Sequence, residues 1–67
     1  MGKMNGEISL VNRAIYYWDY YLLTGEIDYL VSSHTFMKSY RESGGDMYTE
    51  TEKSINAMLE TRLKEAK

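Results

Sequence analysis

A small all-α domain of three helices is what this chain predicts, and three observations carry the expectation. Proline is absent, so every residue keeps the backbone donor that a helix uses. The glycines beyond the N-terminus stand at two places only, Gly25 and the pair Gly44-Gly45, and they cut the chain into three segments. Within each segment apolar residues recur every three or four positions, the period of a helix face, instead of alternating as a half-buried strand would.

The first helix is expected over residues 7–23, after an N-terminal stretch, 1–6, that should fray. On a helical wheel, where each residue advances about 100°, Ile8, Val11, Ile15, Trp18 and Leu22 make one stripe and Leu10, Ala14, Tyr17 and Tyr21 an adjoining one. Two adjoining stripes suit a helix with two neighbours. Ser9, Asn12, Arg13, Tyr16, Asp19 and Tyr20 fall on the remaining side with Leu23. Thr24-Gly25 should end the helix, glycine being able to take the left-handed cap conformation.

The second helix is expected over residues 26–42. Ile27, Leu30, Val31, His34 and Met37 form its aliphatic stripe, and Tyr29, Phe36 and Tyr40 an aromatic one, with Ser33 in the gap. So short a link as Thr24-Gly25 makes residues 7–42 an antiparallel helical hairpin. Residues 43–48 read as a flexible loop. Thr49 and Glu52 then match the spacing of a capping box, opening a third helix over 49–66 that buries Ile55, Met58, Leu59 and Leu63. Arg62 interrupts this stripe, and Arg62 and Glu65 fall on a would-be heptad seam, so no coiled coil is expected.

A chain of 67 residues makes one domain, and at this length only ~60% of the unfolded surface is buried, so the core is small. The absence of cysteine removes disulfides, thiolate metal sites and cysteine nucleophiles. No apolar stretch is long enough to span a membrane, and Glu7, Asn12 and Arg13 break any leader-like run, so a cytoplasmic protein is expected. Self-association into a homodimer is expected from the surplus of apolar and aromatic side chains over what one short chain can cover.

Charge is unevenly placed. Residues 14–37 hold Asp19, Glu26 and Asp28 and no Lys or Arg, whereas residues 38–67 carry six residues of each sign. Nucleic-acid binders present a basic face, so the acidic aromatic half argues against that class. A helix-turn-helix reading meets the same objection, since its recognition helix would open on Glu26-Ile27-Asp28.

Five of the nine aromatic residues lie in one run, Tyr16-Tyr17-Trp18-Asp19-Tyr20-Tyr21. Six successive residues spread around most of a helix, so the rings cannot all face one core. Trp18, Tyr17 and Tyr21 are assigned to the core; Tyr16 and Tyr20 are assigned to the surface, with Arg13 at helical spacing and Asp19 beside them. Tyrosine is enriched in interfaces, where its ring gives area and its hydroxyl tolerates water. The candidate partner-binding face is therefore Arg13, Tyr16, Asp19 and Tyr20, extended across the hairpin by Asp28, Tyr29 and Tyr40.

No catalytic constellation is legible. His34 sits on the apolar stripe, where a histidine is ordinarily a structural residue, and its neighbours Ser32, Ser33 and Thr35 point elsewhere on the helix. The acids around Gly44-Gly45 do not match a calcium loop, and the pair lacks the lysine of a phosphate loop. No enzyme, metal or cofactor is expected. The expectation is a small regulator or inhibitor that docks on a larger protein target, of the size and composition common among phage- and mobile-element-encoded inhibitors, an analogy of class alone. The alternatives are a homodimeric structural subunit and, third, a nucleic-acid-binding helical domain.

Overall fold

The computed structural model describes the backbone of residues 2–65 and the side chains of residues 8–65. It contains three helices, α1 (Gly2–Thr24), α2 (Ile27–Glu42) and α3 (Thr49–Glu65), with α1 packed along α2 and α2 against α3. The small all-α domain is thus the observed fold. The helix α1 reaches back to Gly2, five residues before the expected start, and the expected end at Ala66 lies outside the described residues.

Glycine ends each of the first two helices by a different device. Gly25 takes a φ of 76°, and its N–H donates to the Tyr21 carbonyl at 2.7 Å, closing the last turn of α1 with a single left-handed cap. The Thr24 hydroxyl supports the turn, donating to the Tyr20 carbonyl and accepting from the Glu26 N–H. At the end of α2, Gly44 has a φ of 100° and donates to the Arg41 carbonyl while Gly45 donates to the Tyr40 carbonyl, both at 3.0 Å. That pair of bonds is the Schellman motif, which satisfies two of the carbonyls a helix end leaves open.

The core runs between the predicted stripes instead of along one of them. On α1 the buried residues are Val11, Ala14 and Tyr21, drawn from both stripes. On α2 they are Leu30, Ser33, Met37 and Tyr40, again from both stripes and from the gap. Ser33 is fully buried because its hydroxyl donates to the Ala14 carbonyl at 2.6 Å; two small residues let the helix backbones approach there. Ile55 is the buried residue of α3, with Met58 and Leu59 packed against the cluster. The outer edges of the predicted stripes are left in solvent: Ile8, Leu22, Ile27, Val31 and Leu63 are all exposed, contrary to their assignment to buried stripes. Trp18 packs against the core half-buried, stacked on Tyr21.

Arg41 joins α2, the linker and α3. Its Nε donates to Glu52 Oε1 at 2.8 Å, Nη1 to the Gly45 carbonyl at 2.8 Å and Nη2 to the Met47 carbonyl at 2.7 Å. The Tyr40 hydroxyl accepts from the Met47 N–H at 2.9 Å. Residues 43–48 are therefore tethered along their length. The carboxylate of Glu52 serves Arg41 and not the expected capping box; α3 opens instead from Tyr48, at a φ of 60°, whose carbonyl accepts from the Glu52 N–H. At the other end Arg62 Nη1 donates to the Tyr21 hydroxyl at 2.9 Å and its guanidinium lies over the ring, tying α3 to α1. This is why a cation interrupts the apolar stripe of α3: it finishes a buried tyrosine.

Candidate functional site

The aromatic run separates into two groups. Trp18 and Tyr21 stack together, Tyr21 in the core and bonded to α3, while Tyr17 and Tyr20 turn toward the seam with α2 and the exposed Tyr16 lies against Tyr20. The second group meets Tyr29 and Phe36, which α2 presents seven residues, about two turns, apart on the same face. Ring centroids follow at 4.8 Å from Tyr16 to Tyr20, 5.3 Å from Tyr20 to Tyr29, 6.0 Å from Tyr29 to Tyr17 and 5.7 Å from Tyr17 to Phe36. These are offset and tilted contacts at the separations that aromatic pairs prefer. The result is a five-ring ladder crossing the α1–α2 hairpin, with its inner rungs half-buried and Tyr16, 59% exposed, at its outer end.

Two links hold the outer rungs. Tyr20 and Tyr16 are four residues apart on one helix, and the Tyr20 hydroxyl donates to that of Tyr16 at 3.2 Å. The Tyr20 phenol is held above its ordinary value of 10.0, first because ionisation would break that bond, then because negative charge on two adjacent phenols is mutually unfavourable.

The structure brings together Tyr16, Tyr20 and Tyr29 from the sequence-derived face. Arg13 is exposed and lines a surface depression on α1 with Ile8, Ser9, Asn12 and Tyr16, which places it at the ladder's outer end. Asp19 and Asp28 are exposed on the same two helices, following Trp18 and preceding Tyr29. Tyr40 does not belong to this surface. It is 2% exposed, buried under Gly45, with its hydroxyl engaged by the linker, because the wheel's aromatic stripe on α2 passes into the core at its C-terminal end. Tyr17, read as core, contributes a rung, and so does Phe36, which the wheel put in the aromatic stripe of α2 and which also packs against the core; their i,i+3 and i,i+7 spacing to Tyr20 and Tyr29 was the signal available for them. The cation–π contacts among the described residues are those of Arg41 and Arg62, so Arg13 is not engaged by a ring.

Among the described residues no three carboxylate or imidazole groups converge on a point. His34 is half-buried and lines a cleft of about 130 Å³ between α2 and α3 with Met37, Lys38, Arg41, Glu42, Glu52 and Asn56, without a nucleophile. No described helix is long and apolar enough to cross a membrane. No protein-family model matches the chain, and neither the curated proteins nor the solved structures compared with it match.

Proposed function

We propose that this protein is a small regulator that docks on a larger protein through the tyrosine ladder, in the manner of the compact inhibitors that phages and mobile elements encode. The observation that carries the reading is the ladder itself. Four tyrosines and a phenylalanine are stacked in one row across two helices, with the outermost ring largely in solvent. Rings already fixed by their neighbours lose little further freedom on binding, so the face is preorganised for a partner. Its flanks carry Asp19, Asp28 and Glu26 and, from residue 14 to 37, no Lys or Arg, which supports a protein partner over the phosphate backbone of a nucleic acid.

The test is a parallel capture from the native host's lysate with the wild-type chain and a Tyr16→Ala/Tyr20→Ala variant as baits. One larger protein retained in stoichiometric amount by the wild type and absent from the variant is the expected outcome. Equal retention by both baits, or retention only of nuclease-removable material, contradicts the reading.

A further inference from the structure

One contact of the ladder brings two phenols together hydroxyl to hydroxyl. Tyr16 and Tyr20 stand about one turn apart on α1, the spacing at which side chains of one helix lie side by side. Their ring centroids are 4.8 Å apart, the rings are tilted by 60°, and the Tyr20 hydroxyl donates to that of Tyr16 at 3.2 Å. The other contacts differ. Tyr17 is stacked on Tyr29 and on Phe36, at interplanar angles of 21° and 12°, so those rings meet by their faces. Among the described residues no second pair of tyrosines shares a hydroxyl–hydroxyl bond. Tyr21 and Tyr40 are buried, and their hydroxyls accept from Arg62 and from the Met47 N–H.

That geometry matters because of where a tyrosyl radical reacts. A phenol that loses one electron and one proton leaves a phenoxyl radical, its unpaired electron shared between the oxygen and the ortho and para ring carbons. In tyrosine the para carbon carries the side chain, so two such radicals join through ortho carbons. In the coupled product the two hydroxyls sit side by side, on the carbons next to the new bond. A pair whose hydroxyls already touch therefore holds its ortho carbons on converging sides. Tyr16 is exposed and Tyr20 half-buried, so an oxidant reaches the pair from solvent. We infer that Tyr16 and Tyr20 form an oxidative cross-linking site, at which a one-electron oxidant of the peroxidase–peroxide class joins the two rings into a dityrosine staple within α1. Each ring gives up one electron and its phenolic proton, and a Cε–Cε bond forms. The hydrogen on each joined carbon then moves to its own oxygen and restores the phenol. The two electrons and two protons reduce one hydrogen peroxide to two waters. In the staple one hydroxyl hydrogen-bonds the phenolate of the other, which eases loss of the first proton and adds negative charge beside Asp19. The inference rests on the geometry of the two rings and not on the docking reading, so each can fail without the other.

The test treats the folded full chain, at low micromolar concentration, with a haem peroxidase and an equivalent of hydrogen peroxide. Dityrosine fluorescence should appear in the monomer band of a denaturing gel, and the intact mass should fall by two hydrogens. Cleavage before Asp19 separates Tyr16 from Tyr20 in the untreated chain, so the two fragments should stay joined after treatment. Tyr16→Phe and Tyr20→Phe should each lower the yield of joined fragments at least about tenfold, because the partner held in place is gone. Tyr29→Phe, and Tyr48→Phe at an exposed position in the linker, should leave the yield unchanged. Joined chains as the main product overturn the inference, as does a staple that survives either of the first two substitutions. So does a staple lost equally with Tyr29→Phe or Tyr48→Phe, and so does an unchanged mass while free tyrosine in the same mixture is coupled.

Discussion

Gly25 and Gly45 are both glycines at helix ends, yet they are needed for different reasons. A Cβ at Gly25 would meet open space, so only its φ of 76° opposes substitution. At Gly45 the backbone lies on the Tyr40 ring, and a Cβ would fall within that ring. Gly25→Ala should therefore cost ~1–2 kcal/mol as left-handed strain, whereas Gly45→Ala forces the buried ring and the Schellman turn apart and should cost up to ~3 kcal/mol. Urea unfolding of the two variants checks the order; Gly25→Ala proving the more damaging would contradict it. Tyr20 offers a second test at this scale. Its folded state holds the phenolic proton beyond the ordinary value of 10.0, so the stability it contributes is complete below that pH and falls as the pH rises from there through the raised folded value. In Tyr16→Phe the hydrogen bond is gone, and the Tyr20 titration, followed by phenolate absorbance, should move down toward the ordinary value. An unmoved titration would sever the link between the two rungs.

The helices themselves were readable from the chain because their ends are written in local chemistry: Thr24-Gly25 and Gly44-Gly45 stop α1 and α2 where glycine can take the left-handed turn. Which line of each helix is buried was less readable. A wheel finds the centre of an apolar arc, but here Ala14 and Ser33 let α1 and α2 come close, and that contact drew the core into the gap between stripes. Val31 was left outside for the same reason. The pairing of Arg41 with Glu52 could not be read at all, since it depends on the path of residues 43–48, which local spacing does not encode. That cluster now predicts an effect at the level of the element. Arg41 gives three differently directed N–H groups to Glu52, Gly45 and Met47, a fork that a lysine ammonium cannot reproduce. Arg41→Lys should lower stability by ~1–2 kcal/mol, with hydrogen exchange accelerated at the start of α3 before the hairpin opens. Protection unchanged in α3 would mean that the guanidinium is not what seats it.

As a whole the molecule is a rod of 43 × 18 × 17 Å with the tyrosine ladder along the α1–α2 seam and Leu22 and Leu23 exposed at the turn that ends α1. The face itself was legible in part. Tyr16, Tyr20 and Tyr29 were found by helical spacing, but Tyr40 was misplaced because the stripe it belongs to dips into the core, and no single-helix wheel can see the neighbour that covers it. On the proposed function the aromatic run is divided, with Trp18 and Tyr21 serving the fold and Tyr16 and Tyr20 serving a partner. Calorimetric titration of the captured target protein with wild-type chain, with Tyr16→Ala/Tyr20→Ala and with Glu50→Lys/Lys53→Glu on the outer side of α3 tests it most directly. The tyrosine variant should keep its melting temperature close to that of the wild type and weaken binding by ~2 kcal/mol, about thirtyfold in Kd, while the α3 variant binds as the wild type does. Full-strength binding by the tyrosine variant together with loss of binding by the α3 variant would place the site on the opposite element and contradict the division.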